Sequence, residues 1–370
     1  MNVLFVTDQL RFGGAERHLV ALATGLARRG HSVRVASLKE GGTLGEELDG
    51  AIRVACCASR GGLDLAAVGR LAALAGSVDV IVATSQYSLM FATLARLRVK
   101  RRVALAFICH SMGVVQRGAR ARLRFAVYRR FYGWASSVIF VSELQRRYFD
   151  ALGVRPRRSE VVHNGIDLAR FSAGAVQVQA AALRKELGFG SDELLIGVCA
   201  VFREEKRQVD MLAALVQLHA RGIRARLLLV GDGPMRGQIE ACRDRLGLGS
   251  AVVLAGFQSD VRPFVAACDV MALTSHTETF PIATLETMAL GSALVASDVG
   301  GMREQVDDGV SGLLYPAGDV PALAAALARC AEPALRARLA QGALASVQKR
   351  FDVERMIGRY EAIFADLSHE

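Results

Sequence analysis

Short runs of aliphatic and β-branched residues recur along this chain, separated by amphipathic stretches, and that alternation restricts the fold more than any other feature. In the first half the runs are Val3–Thr7, Ser32–Ser37, Val78–Thr84, Val103–Cys109 and Val138–Val141. In the second half they are Leu194–Ala200, Arg226–Val230, Val252–Ala255, Val270–Thr274 and Ala293–Ser297. Between the first two, Glu16–Arg29 places Leu19, Ala23, Leu26 and Ala27 on one helical face. Strand, helix, strand at this rhythm predicts parallel sheets covered on both faces. A length of 370 residues exceeds one ordinary domain and suits two. The fold class is therefore α/β, with two doubly wound domains facing a cleft. The expected boundaries are 1–170 for the N-terminal domain and 171–190 for a linker, where the pattern lapses into Ala, Gly and Gln. Residues 191–350 form the second domain, and 351–370 a final helix that packs elsewhere, with the N-terminal domain as its candidate partner.

Composition removes several classes of protein. With 52% hydrophobic and 22% charged residues the chain is expected to fold rather than stay disordered. No apolar run reaches the ~18 residues of a bilayer span; the nearest, Leu63 to Leu94, is interrupted by Arg70 and Asp79. The opening MNVLFVTDQL enters a strand at once and lacks the basic start and small-residue cleavage site of a signal peptide, so the chain is expected in the cytosol. Its seven cysteines show no CxxC spacing and read as small core residues of a reducing compartment. Its seven histidines form no HExxH pair, so no zinc site is expected. The net charge of +10 is uneven: residues 1–170 carry +14 and residues 171–370 carry −4. That asymmetry points the first half toward something anionic.

In open parallel sheets ligands bind beyond the carboxyl ends of the strands, at helix N-termini. Residues just after the predicted strands are therefore the candidates. Gly13 and Gly14 open a helix after the first strand, either as a plain turn or as a close backbone approach to phosphate. The GxGxxG fingerprint is absent, which disfavours a nicotinamide cofactor. His110 ends the strand ALAFICH, as a core residue or as a ligand-facing one. Arg203 and Lys206 follow LLIGVCAVF and suit a diphosphate, although Glu204 and Glu205 between them also suit a solvated turn. Glu278 and Glu286 stand with seven residues between them, the first in a loop and the second inside a helix among Leu285, Met288, Ala289 and Leu290. A carboxylate in that company needs hydrogen bonds, from a ligand's hydroxyl pair, a capped backbone or an arginine. The helix start at Phe280–Ala283, with Phe280 and Ile282, offers free amides to an anion.

Taken in order, GGAERHLVALA at 13–23, HNGIDLARF at 163–171, REEK at 203–206, LLLVGDGPM at 227–235, AGF at 255–257, ETFPIATLE at 278–286 and GGMREQVDDGVSGLL at 300–314 resemble the retaining glycosyltransferases of family four. The resemblance spans almost the whole chain and implies the GT-B architecture of two Rossmann-like domains, the first facing the acceptor and the second binding a nucleotide sugar. It implies that Glu278 holds donor-sugar hydroxyls and Glu286 the ribose hydroxyls. Arg203 and Lys206 then neutralise the diphosphate, the Gly14 amide contacts the distal phosphate, and His110 lies beside the transferred sugar. No metal cofactor is implied, because two cations and two helix N-termini can stabilise the departing charge. A front-side displacement with retention is the implied mechanism.

Two departures from the family pattern stand out. Pro281 replaces a glycine and supplies no amide proton, and Val201 stands where many members carry the arginine, leaving Arg203 three residues before Lys206. The implied donor is a UDP- or GDP-sugar and the acceptor a hydroxyl of a glycan or lipid-linked molecule in bacterial envelope synthesis. The alternatives are a metal-free nucleotide-sugar epimerase and a non-catalytic carbohydrate-binding relative.

The charge asymmetry concentrates in Arg117, Arg120, Arg122, Arg124, Arg129 and Arg130, interleaved with Leu123, Phe125, Val127, Tyr128 and Phe131. With Lys100, Arg101 and Arg102, this reads as a basic amphipathic helix for the anionic inner face of a membrane, or as a solvated domain helix. No stacking platform or groove-reading motif points to nucleic acid.

Overall fold

Two parallel sheets organise the chain. The computed structural model describes residues 1–11, 13–40, 42, 44–112, 119–190 and 192–369, with the backbone alone at 46 and 119–124. Its first unit comprises Met1–Gly165 with Val353–Glu370, and its second Ile166–Asp352.

The first unit contains strands β1 (Asn2–Thr7), β2 (Ser32–Ser37), β3 (Arg53–Cys56), β4 (Val80–Ala83), β5 (Ala104–Cys109), β6 (Ser137–Phe140) and β7 (Ser159–Val161). Helices α1 (Gly14–Arg28), α2 (Leu65–Ala75), α3 (Gln86–Arg96), α4 (Ala119–Trp134) and α5 (Glu143–Ala151) connect them. The strand order is β3-β2-β1-β4-β5-β6-β7, all parallel, so the order reverses between β1 and β4. Strands β4, β5 and β6 are buried along their whole length because helices cover both faces, which is why they read as unbroken apolar runs. Short polar side chains start the helices: Asp64 accepts from the amides of Ala66 and Ala67, Ser85 forms a capping box with Ser88, and Ser142 accepts from Gln145.

The second unit contains α6 (Gln177–Glu186), β8 (Leu194–Cys199), α7 (Gln208–Ala220), β9 (Ala225–Val230), α8 (Arg236–Arg245), β10 (Val252–Gly256), α9 (Arg262–Ala267) and β11 (Val270–Leu273). It continues with α10 (Ile282–Ala289), β12 (Ala293–Ser297), α11 (Met302–Gln305), β13 (Leu313–Tyr315), α12 (Val320–Arg329) and α13 (Pro333–Arg350). Its sheet runs β10-β9-β8-β11-β12-β13, again parallel, with the reversal between β8 and β11. The core gathers Ile196, Leu227, Leu229, Val270 and Val295 from the strands against Met211, Leu215 and Leu327 from the helices. Residues 171–190, expected as a linker, carry α6 packed on α9 within this unit; the Ala-rich run is a covering helix.

The last helix, α14 (Val353–His369), belongs to the first unit and packs on α1. Arg29 after α1 binds Glu354 and Glu361 of α14, and His31 meets Glu361 at 2.7 Å. Helix α4, read as a membrane-facing amphipathic helix or as a solvated domain helix, uses part of its apolar side inside the unit. Phe125, Tyr128 and Phe131 pack against the first unit's core, and Tyr132 is fully buried. Val127 and Trp134 remain exposed on it with Arg129 and Arg130. Arg117 lies outside the described residues, as do the side chains of Arg120, Arg122, Leu123 and Arg124.

Candidate active site

In the second unit the loops at the carboxyl ends of β8, β11 and β12 are tied to one another. After β8 the chain makes one turn of 3-10 helix, Glu204–Lys206, and passes through Arg207 at φ 51°, a left-handed conformation that costs a non-glycine residue energy. Arg207 is held there by two hydrogen bonds to Asp210, at 2.8 and 3.2 Å. This fixes the exit of Lys206. The Lys206 carbonyl accepts from Thr274 Oγ1 at 2.7 Å, and its Nζ reaches Glu278 Oε1 at 2.5 Å. The same carboxylate oxygen accepts from Ser275 Oγ at 2.6 Å, and His276 donates its amide to the Glu205 carbonyl. Residues 204–206 and 274–278, far apart in sequence, thus form one polar surface. Glu278 is buried by its neighbours, with 9% of its side chain exposed, so its negative charge is matched by Lys206 at short range.

The loop after β12 closes on the same segment. Ser297 Oγ donates to the Ser275 carbonyl, and the Gly301 amide donates to the Thr279 carbonyl. Gly300 has φ 56°, and a Cβ there would lie 1.8 Å from the Glu278 carbonyl oxygen. Only glycine permits this approach. Similarly, Gly231 after β9 (φ 140°) would place a Cβ 2.0 Å from the Ala200 carbonyl oxygen.

Helix α10 begins after Pro281, whose φ of −66° suits a helix entrance and whose carbonyl accepts from Gln305 Nε2. Glu286 is buried two turns along, between the equally buried Leu285 and Thr287. Phe280 is 3% exposed and packs edge-on against Phe351, so its side chain is a packing element. Ile282 is half-buried at the first turn. Arg203 points outward with 61% of its side chain exposed, 4.0 Å from Glu205. Lys206, Glu278 and the α10 start are brought together, and Arg203 is left on the rim.

In the first unit Gly14 is the first residue of α1, and a Cβ there would meet no atom within 4 Å, so its backbone is open to approach. His110 follows β5 and is half-buried; burial lowers its pKa to about 4, so the imidazole is neutral at physiological pH. Gln145, fully buried on α5, brackets it. Gln145 Nε2 donates to the carbonyls of Cys109 at 2.9 Å and Ser111 at 3.0 Å, while its Oε1 accepts the Val141 amide. The backbone on both sides of His110 is thereby fixed. At the carboxyl ends of β1 and β4, where the strand order reverses, Asp8 accepts from Ser85 Oγ at 2.6 Å. Burial raises the Asp8 pKa, and the bond to Ser85 and the charge of Lys39 partly offset it. Among the described residues no group of three His, Cys, Asp or Glu stands as a metal-binding cluster.

A family model described as Glycosyltransferase Family 4 matches residues 12–170, and one described as Glycosyl transferases group 1 matches residues 193–332. The chain belongs to glycosyltransferase family 4.

Its two parallel-sheet units are those of the GT-B fold. The N-acetyl-alpha-D-glucosaminyl L-malate synthase of Bacillus anthracis is 27% identical over 314 residues, 82% of this chain and 79% of that protein. A D-inositol 3-phosphate glycosyltransferase of Saccharomonospora viridis is 36% identical over 216 residues, which cover 55% of this chain and 48% of that one. The chain thus matches about half the length of some curated relatives. Among solved structures, Anabaena HepE in complex with UDP-glucose aligns with a TM-score of 0.87 at 26% identity, over 99% of this chain and 100% of that one. HepE has also been crystallised with UDP alone, at a TM-score of 0.86, 26% identity and coverage of 99% and 100%.

Within this family-four chain, two features of the site, Gln145 and Asp8, were not among the candidates read from the sequence. Gln145 lies in an ordinary polar context, whereas Ser275 stands directly after a predicted strand and Gly300 opens the motif at 300–314. Asp8 read only as a charge at the end of a strand. Position relative to a strand's carboxyl end is the signal that flags Asp8 as well.

Proposed function

We propose that this chain transfers a hexosyl group from a nucleotide sugar to an acceptor hydroxyl with retention of anomeric configuration and without a metal cofactor. The observation that carries the reading is the Lys206–Glu278 pair at 2.5 Å, one loop from the buried Glu286. A cation held at the carboxyl edge of the sheet, next to the loop that leads into a helix start, suits a diphosphate leaving group. The carboxylate of Glu278, already accepting two hydrogen bonds at one oxygen, retains acceptor capacity for sugar hydroxyls. Glu286 is assigned to the ribose diol, Gly14 to the distal phosphate and His110 to the transferred sugar. Arg203 joins from the rim.

In the step itself the bond from the anomeric carbon to the diphosphate oxygen breaks, and its electron pair leaves with the nucleoside diphosphate. The acceptor oxygen bonds to the same face of that carbon, and its proton passes to the departing phosphate oxygen. Lys206 then neutralises charge that grows as the bond breaks, an interaction stronger in the transition state than in the ground state. HepE, at 26% identity, is the support for testing UDP-glucose first, with GDP-sugars beside it.

A ligand that binds the native state alone raises the unfolding temperature by mass action. The first experiment therefore screens UDP- and GDP-sugars for thermal protection, with and without EDTA, and then reads the product's anomeric configuration by NMR. Absence of protection by every nucleotide sugar, or an inverted product, overturns the reading.

The acceptor is a hydroxyl of a glycan or a lipid-linked molecule, met at the cytosolic leaflet. What supports this is the charge of +14 over residues 1–170 and the exposure of Trp134 and Val127 beside Arg129 and Arg130. No helix among the described residues is long and apolar enough to cross a membrane. Exposed charge contacts are screened within about 8 Å at physiological salt. Co-sedimentation with anionic vesicles at low salt, lost at high salt and absent with neutral lipid, is the expected result; equal binding to both lipids refutes it.

A further inference from the structure

Behind His110 lies a group of buried polar atoms that the proposed reaction does not use. His18, in the second turn of α1, is 2% exposed, and neither ring nitrogen has a hydrogen-bond partner among the described residues. Tyr360 on α14 is fully buried, and its hydroxyl is likewise without a partner. The inward Nε2 of His110 is in the same condition. The rings touch in series: His18 and His110 meet edge to face with centroids 4.7 Å apart, and His18 and Tyr360 edge to face at 5.3 Å.

Four of the nine unpartnered buried side-chain atoms among the described residues therefore fall in this one stack. Leaving such an atom unpaired costs about 1–3 kcal/mol, whereas an apolar ring of the same shape costs nothing of the kind. Packing alone would be served better by phenylalanine at position 18. A sequence that keeps an unfavourable polar group at a buried position does so where function opposes stability. Gln145 fixes the backbone on both sides of His110 through the Cys109 and Ser111 carbonyls. The ring itself meets His18.

We infer that His18, backed by Tyr360, is a positioning residue that holds the His110 imidazole in one orientation and one tautomer. This rests on the assignment of His110 to the transferred sugar. An edge-to-face contact fixes the ring plane, and the dipole of a second neutral imidazole decides which nitrogen of His110 carries its hydrogen. A phenylalanine supplies the first of these and not the second.

The test uses the full chain with UDP-glucose and reads released UDP. His18→Phe is expected to unfold at the parent temperature or higher, keep KM for UDP-glucose within twofold and lose at least tenfold in kcat. Tyr360→Phe moves the same way by less. A His18→Phe protein within twofold of the parent kcat overturns the inference, and so does a loss of kcat that only tracks a lowered unfolding temperature. His110→Ala separates the two readings. If it leaves turnover intact, the assignment of His110 fails; if it abolishes turnover while His18→Phe does not lower it, only the inference about His18 fails. Nitrogen NMR of the imidazoles needs no substrate and decides the matter even without turnover. A single tautomer at His110 that becomes mixed or switches in His18→Phe supports the inference, and unchanged His110 signals refute it.

Discussion

The carboxyl edges of the two sheets handle polarity in opposite ways. In the second unit Lys206 is hydrogen-bonded to Glu278 and Thr274, Glu278 to Ser275, and Arg207 to Asp210, so these charges already have partners. In the first unit His18, His110 and Tyr360 bury polar atoms that have none among the described residues. The difference follows from what each group can do. Formal charges cannot stay buried unmatched, because the desolvation cost is too high, and so they bind one another until a ligand competes. Imidazole and phenol can remain neutral, and a neutral ring tolerates an unpaired atom at a cost of about 1–3 kcal/mol. The second edge is arranged in advance by pairing its charges, and the first adds to its Gln145 and Asp8–Ser85 hydrogen bonds a stack of neutral rings held by packing.

The hardest way to break this contrast is to remove the cation. Lys206→Ala takes away the charge assigned to the leaving group, and kcat is expected to fall by about 10²–10³, the range seen when one preorganised electrostatic donor is lost. It also leaves Glu278 with the hydrogen bond from Ser275. Steady-state kinetics and UDP titration on the same protein separate the two effects. A kcat within a few fold of the parent would remove Lys206 from the mechanism.

Next in size is Gln145→Leu, which attacks the first unit's solution. The substitution keeps the side chain's bulk but strands the carbonyls of Cys109 and Ser111 and the amide of Val141. Stranded buried backbone groups are costly, and a loss of about 3 kcal/mol in unfolding free energy is expected by denaturant titration. A loss below about 1 kcal/mol would mean that water reaches those groups and that His110 is not held by its backbone.

Glu286→Gln is a finer cut. An amide replaces one acceptor of the ribose diol, and the calorimetric affinity for UDP is expected to drop about tenfold, equivalent to one hydrogen bond of ~1.4 kcal/mol. Glu278→Ala is expected to impair transfer more than UDP binding, because its assigned partner is the sugar. Equal affinity losses in the two variants would dissolve that division.

The same physical distinction governs what the sequence reveals. Ten of the strands read as apolar runs; most are buried along nearly their whole length, and β10, an edge strand that is only partly buried, reads so through its apolar residues Val252–Ala255. The three that did not read as strands, β3, β7 and β13, are sheet edges of three or four residues, and β3 and β7 keep much of their surface exposed. An edge strand lacks the two-sided burial that writes the pattern. The site divides likewise. Glu278 and Glu286 are legible because one loop and one helix set their spacing locally. The Lys206–Glu278 bond spans 72 residues and the Gln145–Cys109 bond 36, so both depend on which strands become neighbours. The His18–His110–Tyr360 stack gathers three distant segments, and a histidine in GGAERHLV carries no local mark of it.

The smallest expected effect sharpens the comparison most directly, because it asks whether the first unit's rings are truly held neutral. Burial lowers the His18 pKa well below the ordinary 6.5, and the adjacent His110 lowers it further; burial alone brings His110 to about 4. Between the folded and unfolded pKa values the unfolded chain binds more protons, so stability increases with pH across that window. The fold is unpenalised above about pH 6.5 and loses stability as pH falls toward the folded values. Replacing His18 by phenylalanine removes its share of the proton uptake on unfolding. The acid-unfolding midpoint of His18→Phe, followed by circular dichroism, is therefore expected a few tenths of a pH unit below that of the parent. A midpoint that stays in place or rises would show that His18 is already paired and charged in the folded unit, and the contrast between the two edges would then reduce to one of degree.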